Sequence, residues 1–181
     1  MQLDVSVNKF VTEFYEFQTD GYKNKKYLLE KIKKLEFNKS KNLSTTFKNY
    51  KNIIFENKDF KEFKDFICKN IEAVLSDATN KKQFEMISSW FQIYSKNQFH
   101  DFHAHGTHEN YYSCIYYVNA GKKSANTVFA FPGYPYIEIS KTFHILSKTG
   151  KMVLFPSYIP HYVEPNQDTS RVIFSCNIHA I

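Results

Sequence analysis

Apolar positions along the chain change their spacing near residue 82, and that change divides the sequence into two kinds of structure. From Val5 to Gln18, Phe10, Val11, Phe14, Tyr15 and Phe17 tend toward alternation, which predicts an extended strand ending at the Asp20-Gly21 turn. From Lys23 the period lengthens. Leu28, Ile32 and Leu35 recur at i, i+4 and i+7 in a Lys-rich frame and predict an amphipathic helix. Asn38 to Lys51, rich in Asn, Ser, Thr and Lys, reads as a loop. A second helix starts near Asn57 or Asp59, either of which can cap it; Phe60, Phe63, Ile67, Ile71 and Val74 then form one stripe, and Asp77 to Lys82 ends it. Beyond residue 82 come short runs with strand character: Phe84 to Tyr94, Tyr111 to Val118, Thr127 to Phe131, Tyr136 to Ile139, Phe143 to Leu146, Met152 to Phe155 and Arg171 to Ile178. Many short strands divided by turn residues are the mark of a sandwich or barrel.

Composition supports one packed unit. The chain has 181 residues, 43% of them hydrophobic and 18% aromatic, enough apolar surface for a single core. The expected class is therefore α+β, mainly β: one domain over 1–181, with a strand and supporting helices in 1–82 and the β core in 83–181. The net charge of +6 comes from Lys interspersed with Glu and Asp. That describes solvated helix faces, and because nearly every basic residue is Lys and none cluster as a block, nucleic-acid binding is disfavoured. Three widely spaced cysteines, Cys68, Cys114 and Cys176, suggest neither a disulfide framework nor a cysteine metal site, so a reducing compartment is expected. With no leader pattern and no apolar stretch of membrane-spanning length, the expectation is a soluble cytoplasmic protein without a membrane partner.

The candidate chemistry lies in the histidines. Five of seven stand at 100, 103, 105, 108 and 161. If Phe102-His103-Ala104-His105 is a strand, its period of two places His103 and His105 on one face as a chelate; the same pattern also describes a solvated His-rich loop. The segment from Gly150 through Phe155-Pro156 to Pro160-His161 reads as a turn, an apolar strand and a proline-bounded bend that presents a third imidazole. Three protein ligands leave coordination positions open, as an Fe(II) site that admits further ligands requires. Arg171 is the single arginine among 24 basic residues. Where Lys serves every ordinary charge, a lone Arg points to planar, bidentate binding of a carboxylate; the plainer alternative is an ion pair with Asp168 or Glu164.

Trp90-x-Gln92-x-Tyr94, His103-x-His105, Ser113-x-Ile115-Tyr116-Tyr117-Val118, Gly150 through Phe155-Pro156-Ser157, His161-x-Val163-x-Pro165 and Arg171 through Asn177 follow in order over about residues 84 to 178. In this order they resemble the 2-oxoglutarate- and Fe(II)-dependent oxygenases, in particular the small prolyl-hydroxylase-like members, within the cupin-like double-stranded β-helix superfamily. The resemblance implies a jelly roll with N-terminal helices packed on its sheet. It implies that His103 and His161 are iron ligands, that Arg171 clamps the distal carboxylate of 2-oxoglutarate, and that Tyr94, Gln92 and Asn177 border the cosubstrate. His105 stands where most such enzymes place Asp or Glu, so the third ligand is left between His105 and a carboxylate such as Glu109, which would also suit a cupin motif.

The implied function is a dioxygenase, a hydroxylase, using Fe(II) and 2-oxoglutarate and acting on an unassigned small molecule or peptide; a homodimer is compatible with it. The alternatives are a three-histidine cupin metalloenzyme without cosubstrate, such as a dioxygenase or lyase, and a non-enzymatic jelly-roll binding module. His108 reads as a spare ligand, and His100 and Asp101 as the site entrance. Trp90, Cys114 and Cys176 read as core, His144 as a sheet residue, His179 as a frayed terminus, and Pro132 to Pro135 as a turn on the pocket rim.

Overall fold

The computed structural model describes residues 12–79, 81–130 and 142–181. The expected strand at Tyr136 to Ile139 and the turn at Pro132 to Pro135 lie outside them, as does the start of the strand expected from Val5. In chain order the elements are β1 (Tyr15–Gln18), α1 (Lys25–Ile32), β2 (Asn38–Lys39), β3 (Ser44–Thr45), α2 (Ile53–Glu56), a 3-10 turn (Lys58–Phe60), α3 (Lys61–Ala78), β4 (Phe84–Tyr94) and β5 (His100–His103). There follow β6 (Tyr111–Asn119), β7 (Thr127–Ala130), β8 (Thr142–Ile145), β9 (Lys151–Pro156), β10 (His161–Val163) and β11 (Arg171–Ala180).

Two sheets result. The larger has the order β1-β9-β6-β11-β4-β3-β2 and the smaller β5-β10-β7-β8, with every ladder antiparallel. This is the mainly β, two-sheet architecture expected, and the helices cover the outer face of the larger sheet. There Phe60, Phe63, Ile67, Ile71 and Leu75 meet Phe91, Tyr116, Leu154 and Phe174 in one buried cluster. The helical stripe therefore closes on Leu75, four residues after Ile71, while Val74 is only partly buried. Asn57 caps the 3-10 turn that leads into α3 by accepting a hydrogen bond from the Asp59 amide.

The segment 38–51 is not a plain loop. Its β2–β3 hairpin extends the larger sheet, with Ser44 opposite Ile93 and Thr45 opposite Gln92. Thr46 fixes it there, fully buried, its hydroxyl accepting from the Phe91 amide at 3.0 Å. Nor does His179 fray: it pairs within β11, opposite Glu85 and Tyr111.

Alternation on the larger sheet decides what faces the smaller one. Arg171, Ile173, Ser175 and Asn177 of β11 stand opposite Tyr94, Gln92, Trp90 and Ser88 of β4, and this set turns inward. Val172, Phe174 and Cys176 turn outward to the helices. Between the sheets lies a cavity of about 630 Å³.

Candidate active site

Three imidazoles converge on that cavity. His103 is the last residue of β5 and lies opposite His161, the first residue of β10, across an antiparallel pair. The Pro156-to-Pro160 bend carries the chain from β9 in one sheet to β10 in the other and delivers His161 into the interior. His105 lies past the end of β5, so the expected single strand carrying both histidines is not formed. It is held instead by its backbone amide, which donates to the Ser157 carbonyl at 2.9 Å. The candidate ligand atoms of His103, His105 and His161 nevertheless all lie within 4.8 Å of one another.

Hydrogen bonds decide which nitrogens are free. His103 Nδ1 lies 2.6 Å from the Asp101 carbonyl, His161 Nδ1 is 3.1 Å from that of Ile159, and His105 Nδ1 is 2.8 Å from Asn177 Oδ1. A carbonyl oxygen can only accept, so each Nδ1 carries the proton and each Nε2 lone pair is left for a metal. Burial pushes the His105 pKa down to about 4 and that of His161 well below the usual imidazole range, so both rings are neutral near pH 7.

Asn177 is held on both ends of its amide. Its Oδ1 also accepts from Ser113 Oγ at 2.8 Å and its Nδ2 donates to Ser88 Oγ at 3.1 Å, which fixes the amide's orientation and hence that of His105. Ser113 in turn accepts from Ser157 Oγ at 2.8 Å. Asn177, expected beside the cosubstrate, lines the cavity and also supports the third imidazole.

Arg171 occupies the other end. It is the largest fully buried side chain, packed between the rings of Tyr94 and Tyr117 with its Cζ 4.9 and 5.2 Å from their centroids. Its Nε donates to Ser147 Oγ at 2.9 Å and its Nη2 to Thr127 Oγ1 at 2.8 Å. Nη1 has no partner. Neither carboxylate suggested as a structural partner pairs with it: Glu164 lies 3.7 Å from His144, and Asp168 accepts from the Thr169 amide. A buried guanidinium with an unused donor and no counter-charge among the described residues is costly unless an anion arrives to meet it.

The remaining candidates divide. Tyr94 is fully buried, and burial pushes its pKa up to about 12. Its hydroxyl lies 3.5 Å from His100 Nδ1, and Gln92 Nε2 lies 3.4 Å from the same atom. His100 is therefore inside the site rather than at its entrance, its ring centroid 4.0 Å from that of His103. Burial first, then the proximity of His103, His105 and Arg171, pushes its pKa down to about 3. Sequence reading undervalued it because β5 is too short and polar to announce which residues turn inward. Trp90 is buried but also walls the cavity, its ring 5.5 Å from that of His105. Glu109 and His108 are both exposed and fall outside the ligand group, with the His108 ring against Tyr111 and His179.

Residues 88–177 match the family described as "Putative 2OG-Fe(II) oxygenase". The chain carries a domain of this oxygenase family. HygX of Streptomyces hygroscopicus, solved with nickel, 2-oxoglutarate and hygromycin B, superposes with a TM-score of 0.71 at 9% identity, covering 93% of this chain and 83% of that one. A Pseudomonas putida prolyl-4-hydroxylase gives 0.64 at 12% identity over 94% of both chains. The viral collagen prolyl hydroxylase of Paramecium Bursaria Chlorella virus-1, solved as a 2-oxoglutarate complex, gives 0.60 at 16% identity over 92% of this chain and 97% of that one. At these identities the likeness establishes the fold, a double-stranded β-helix, and no more. No curated protein matches the chain by sequence. No described helix of the chain is long and apolar enough to cross a membrane.

Proposed function

We propose that the protein is a hydroxylase that binds Fe(II) through His103, His105 and His161 and takes 2-oxoglutarate as cosubstrate, with a carboxylate of that molecule on Arg171. The observation that carries this reading is the Nη1 of a fully buried Arg171, without a partner among the described residues, set beside Tyr94 and Thr127, which line the same cavity as the three histidines. When bound, iron supplies activation of dioxygen coupled to decarboxylation of 2-oxoglutarate to succinate.

The chain's own residues prepare that chemistry. The three carbonyl acceptors hold the imidazoles in the tautomer that coordinates, and Asn177 keeps His105 from rotating away. Arg171 orients the dicarboxylate from the far end, with Thr127 and Ser147 fixing the plane of the guanidinium. Phe129 and Phe155, with centroids 5.4 and 5.1 Å from that of His161, exclude water from one side of the triad. The substrate in this reading is a small molecule or peptide, and the enzyme acts in the cytoplasm.

Anaerobic mixing of the protein with Fe(II) and 2-oxoglutarate is expected to give a weak visible charge-transfer band, and admitting oxygen is expected to yield succinate. Absence of both would refute the assignment. A second reading, a three-histidine metalloenzyme without cosubstrate, draws on the all-imidazole ligand group. It expects iron binding without any 2-oxoglutarate-dependent band.

A further inference from the structure

The cavity is larger than a five-carbon dicarboxylate requires, and the charge of its lining is one-sided. No Asp or Glu is among the described side chains that line it. Lys39 and Lys48 both do, from the β2–β3 hairpin and the turn that follows it, and neither has an ion-pair partner among the described residues. Both are exposed, so they stand where the cavity meets solvent. The hairpin that carries them is anchored: the Phe99 amide donates to the Asn42 carbonyl at 2.8 Å, and Thr46 is buried against β4.

Beside the lysines the wall is apolar and aromatic. Phe47, 53% exposed, stands edge-on to Trp90 with centroids 4.9 Å apart, and Trp90 in turn leans on His105. A planar or apolar group on the Phe47–Trp90 wall would lead directly to the triad. A cationic molecule entering here would meet two ammonium groups and the buried Arg171 without any carboxylate to compensate, and a cleft concentrates that field.

We infer that the substrate is a small organic acid with an apolar, planar portion: its carboxylate or phosphate sits at the mouth with Lys39 and Lys48, and its apolar body lies along Phe47 and Trp90 toward the three histidines. This rests on the oxygenase reading for what happens at the triad, though the binding surface itself does not depend on it.

Three probes of one shape test it: 3-phenylpropanoate, 3-phenylpropanamide and 3-phenylpropylamine, carrying negative, zero and positive charge. Each is titrated into protein saturated with Mn(II) and 2-oxoglutarate, and binding is read from the fluorescence of Trp90, the chain's single tryptophan. The acid is expected to bind at least tenfold more tightly than the amide, and the amine more weakly than either. In the K39Q/K48Q double variant the acid's advantage should fall below about threefold, whereas K33Q/K34Q, beyond the end of α1, should leave it intact. Equal binding of the three probes, preference for the amine, no response from any of them, or an unchanged preference in K39Q/K48Q would overturn the inference. So would displacement of 2-oxoglutarate by the acid, because its carboxylate would then be at Arg171. Separately, 2-oxoglutarate is titrated into the anaerobic Fe(II) protein. A protein that gives no charge-transfer band there, yet keeps an acid preference sensitive to Lys39 and Lys48, would retain this binding surface and lose the oxygenase reading.

Discussion

On β6, Cys114, Tyr116 and Val118 turn toward the helices while Ser113, Ile115 and Tyr117 turn toward the cavity, and β11 repeats the division with Phe174 and Cys176 against Arg171, Ser175 and Asn177. The outer face meets α3 in a layer whose members are almost all aliphatic or aromatic, with Phe63 touching the rings of Phe91, Tyr116 and Phe174. The inner face holds a guanidinium, hydroxyls and amides, turned toward the imidazoles that β5 and β10 bring from the smaller sheet. Burial on the outer face releases apolar surface from water and stabilises the fold. On the inner face it desolvates polar groups at a cost in stability, in exchange for fixed hydrogen-bond directions. The same two strands therefore support the fold on one side and the chemistry on the other, one residue apart.

Substitutions on the two faces should separate accordingly. The largest effect is expected from Phe63→Ala, which empties a ring-sized space under the sheet and should cost about 3–5 kcal/mol in urea denaturation. If the surviving folded fraction still binds Fe(II) with unchanged affinity, the division between faces holds; a loss of metal affinity in that fraction would break it. Next comes His161→Ala. A site worth about 10 kcal/mol or more shared among its ligands should lose about 3 kcal/mol, on the order of a hundredfold in Fe(II) affinity measured by chelator competition. Its urea midpoint without metal should move far less than that of Phe63→Ala.

Arg171→Lys is expected to weaken 2-oxoglutarate about tenfold to a hundredfold, because a lysine cannot reproduce the fork held by Thr127 and Ser147. The charge-transfer titration measures this, and Fe(II) affinity should stay unchanged. Indifference of the titration would favour the cosubstrate-free reading. Asn177→Ala removes the acceptor for His105 Nδ1 and should lower metal affinity by about 10-fold, the lower end of what outer-shell partners contribute. The signature of a positioning role is partial rescue by Asn177→Asp, which restores an acceptor. The smallest effect belongs to Lys31→Ala, which breaks a half-exposed ion pair with Asp59 at 2.9 Å and should change stability by under about 1 kcal/mol.

The strands legible in advance include the long, apolar ones and the short β7 and β8, whose runs at 127 and 143 are found within one residue. β4, β6, β9 and β11 carry enough aromatic and β-branched residues to declare themselves, and each is found within two residues of its expected ends. α3 was legible for the same reason, its stripe being longer than any competing pattern. Missing from the sequence reading are β2, β3, α2 and β10, all of four residues or fewer, and β5 lies two residues earlier than the strand considered at 102–105. Short segments carry little propensity of their own and exist because a neighbour offers backbone partners, as β10 does for β5 where His161 meets His103. The site was legible by residue type: the three histidines and Arg171 were singled out because imidazole and a solitary guanidinium serve chemistry that the surrounding lysines cannot. The contacts of Asn177 and His100 were not legible, since nothing in their sequence neighbours tells which imidazole or amide from another strand each will meet.

Sequence by itself determined the alternation that sends Arg171 and Asn177 to one face of β11 and Phe174 to the other, because period two is a property of the extended chain. It also determined the chemistry available, through the side chains it spends at 103, 105, 161 and 171. Only the tertiary structure decided that residues 58 positions apart form one ligand group, that His105 joins it from outside the strand, and that Arg171 is left without a counter-charge among the described residues. Those outcomes depend on which strands pair and which carbonyls fall within reach of which nitrogens, and such distances are set by the packing of the whole chain rather than by any stretch of it.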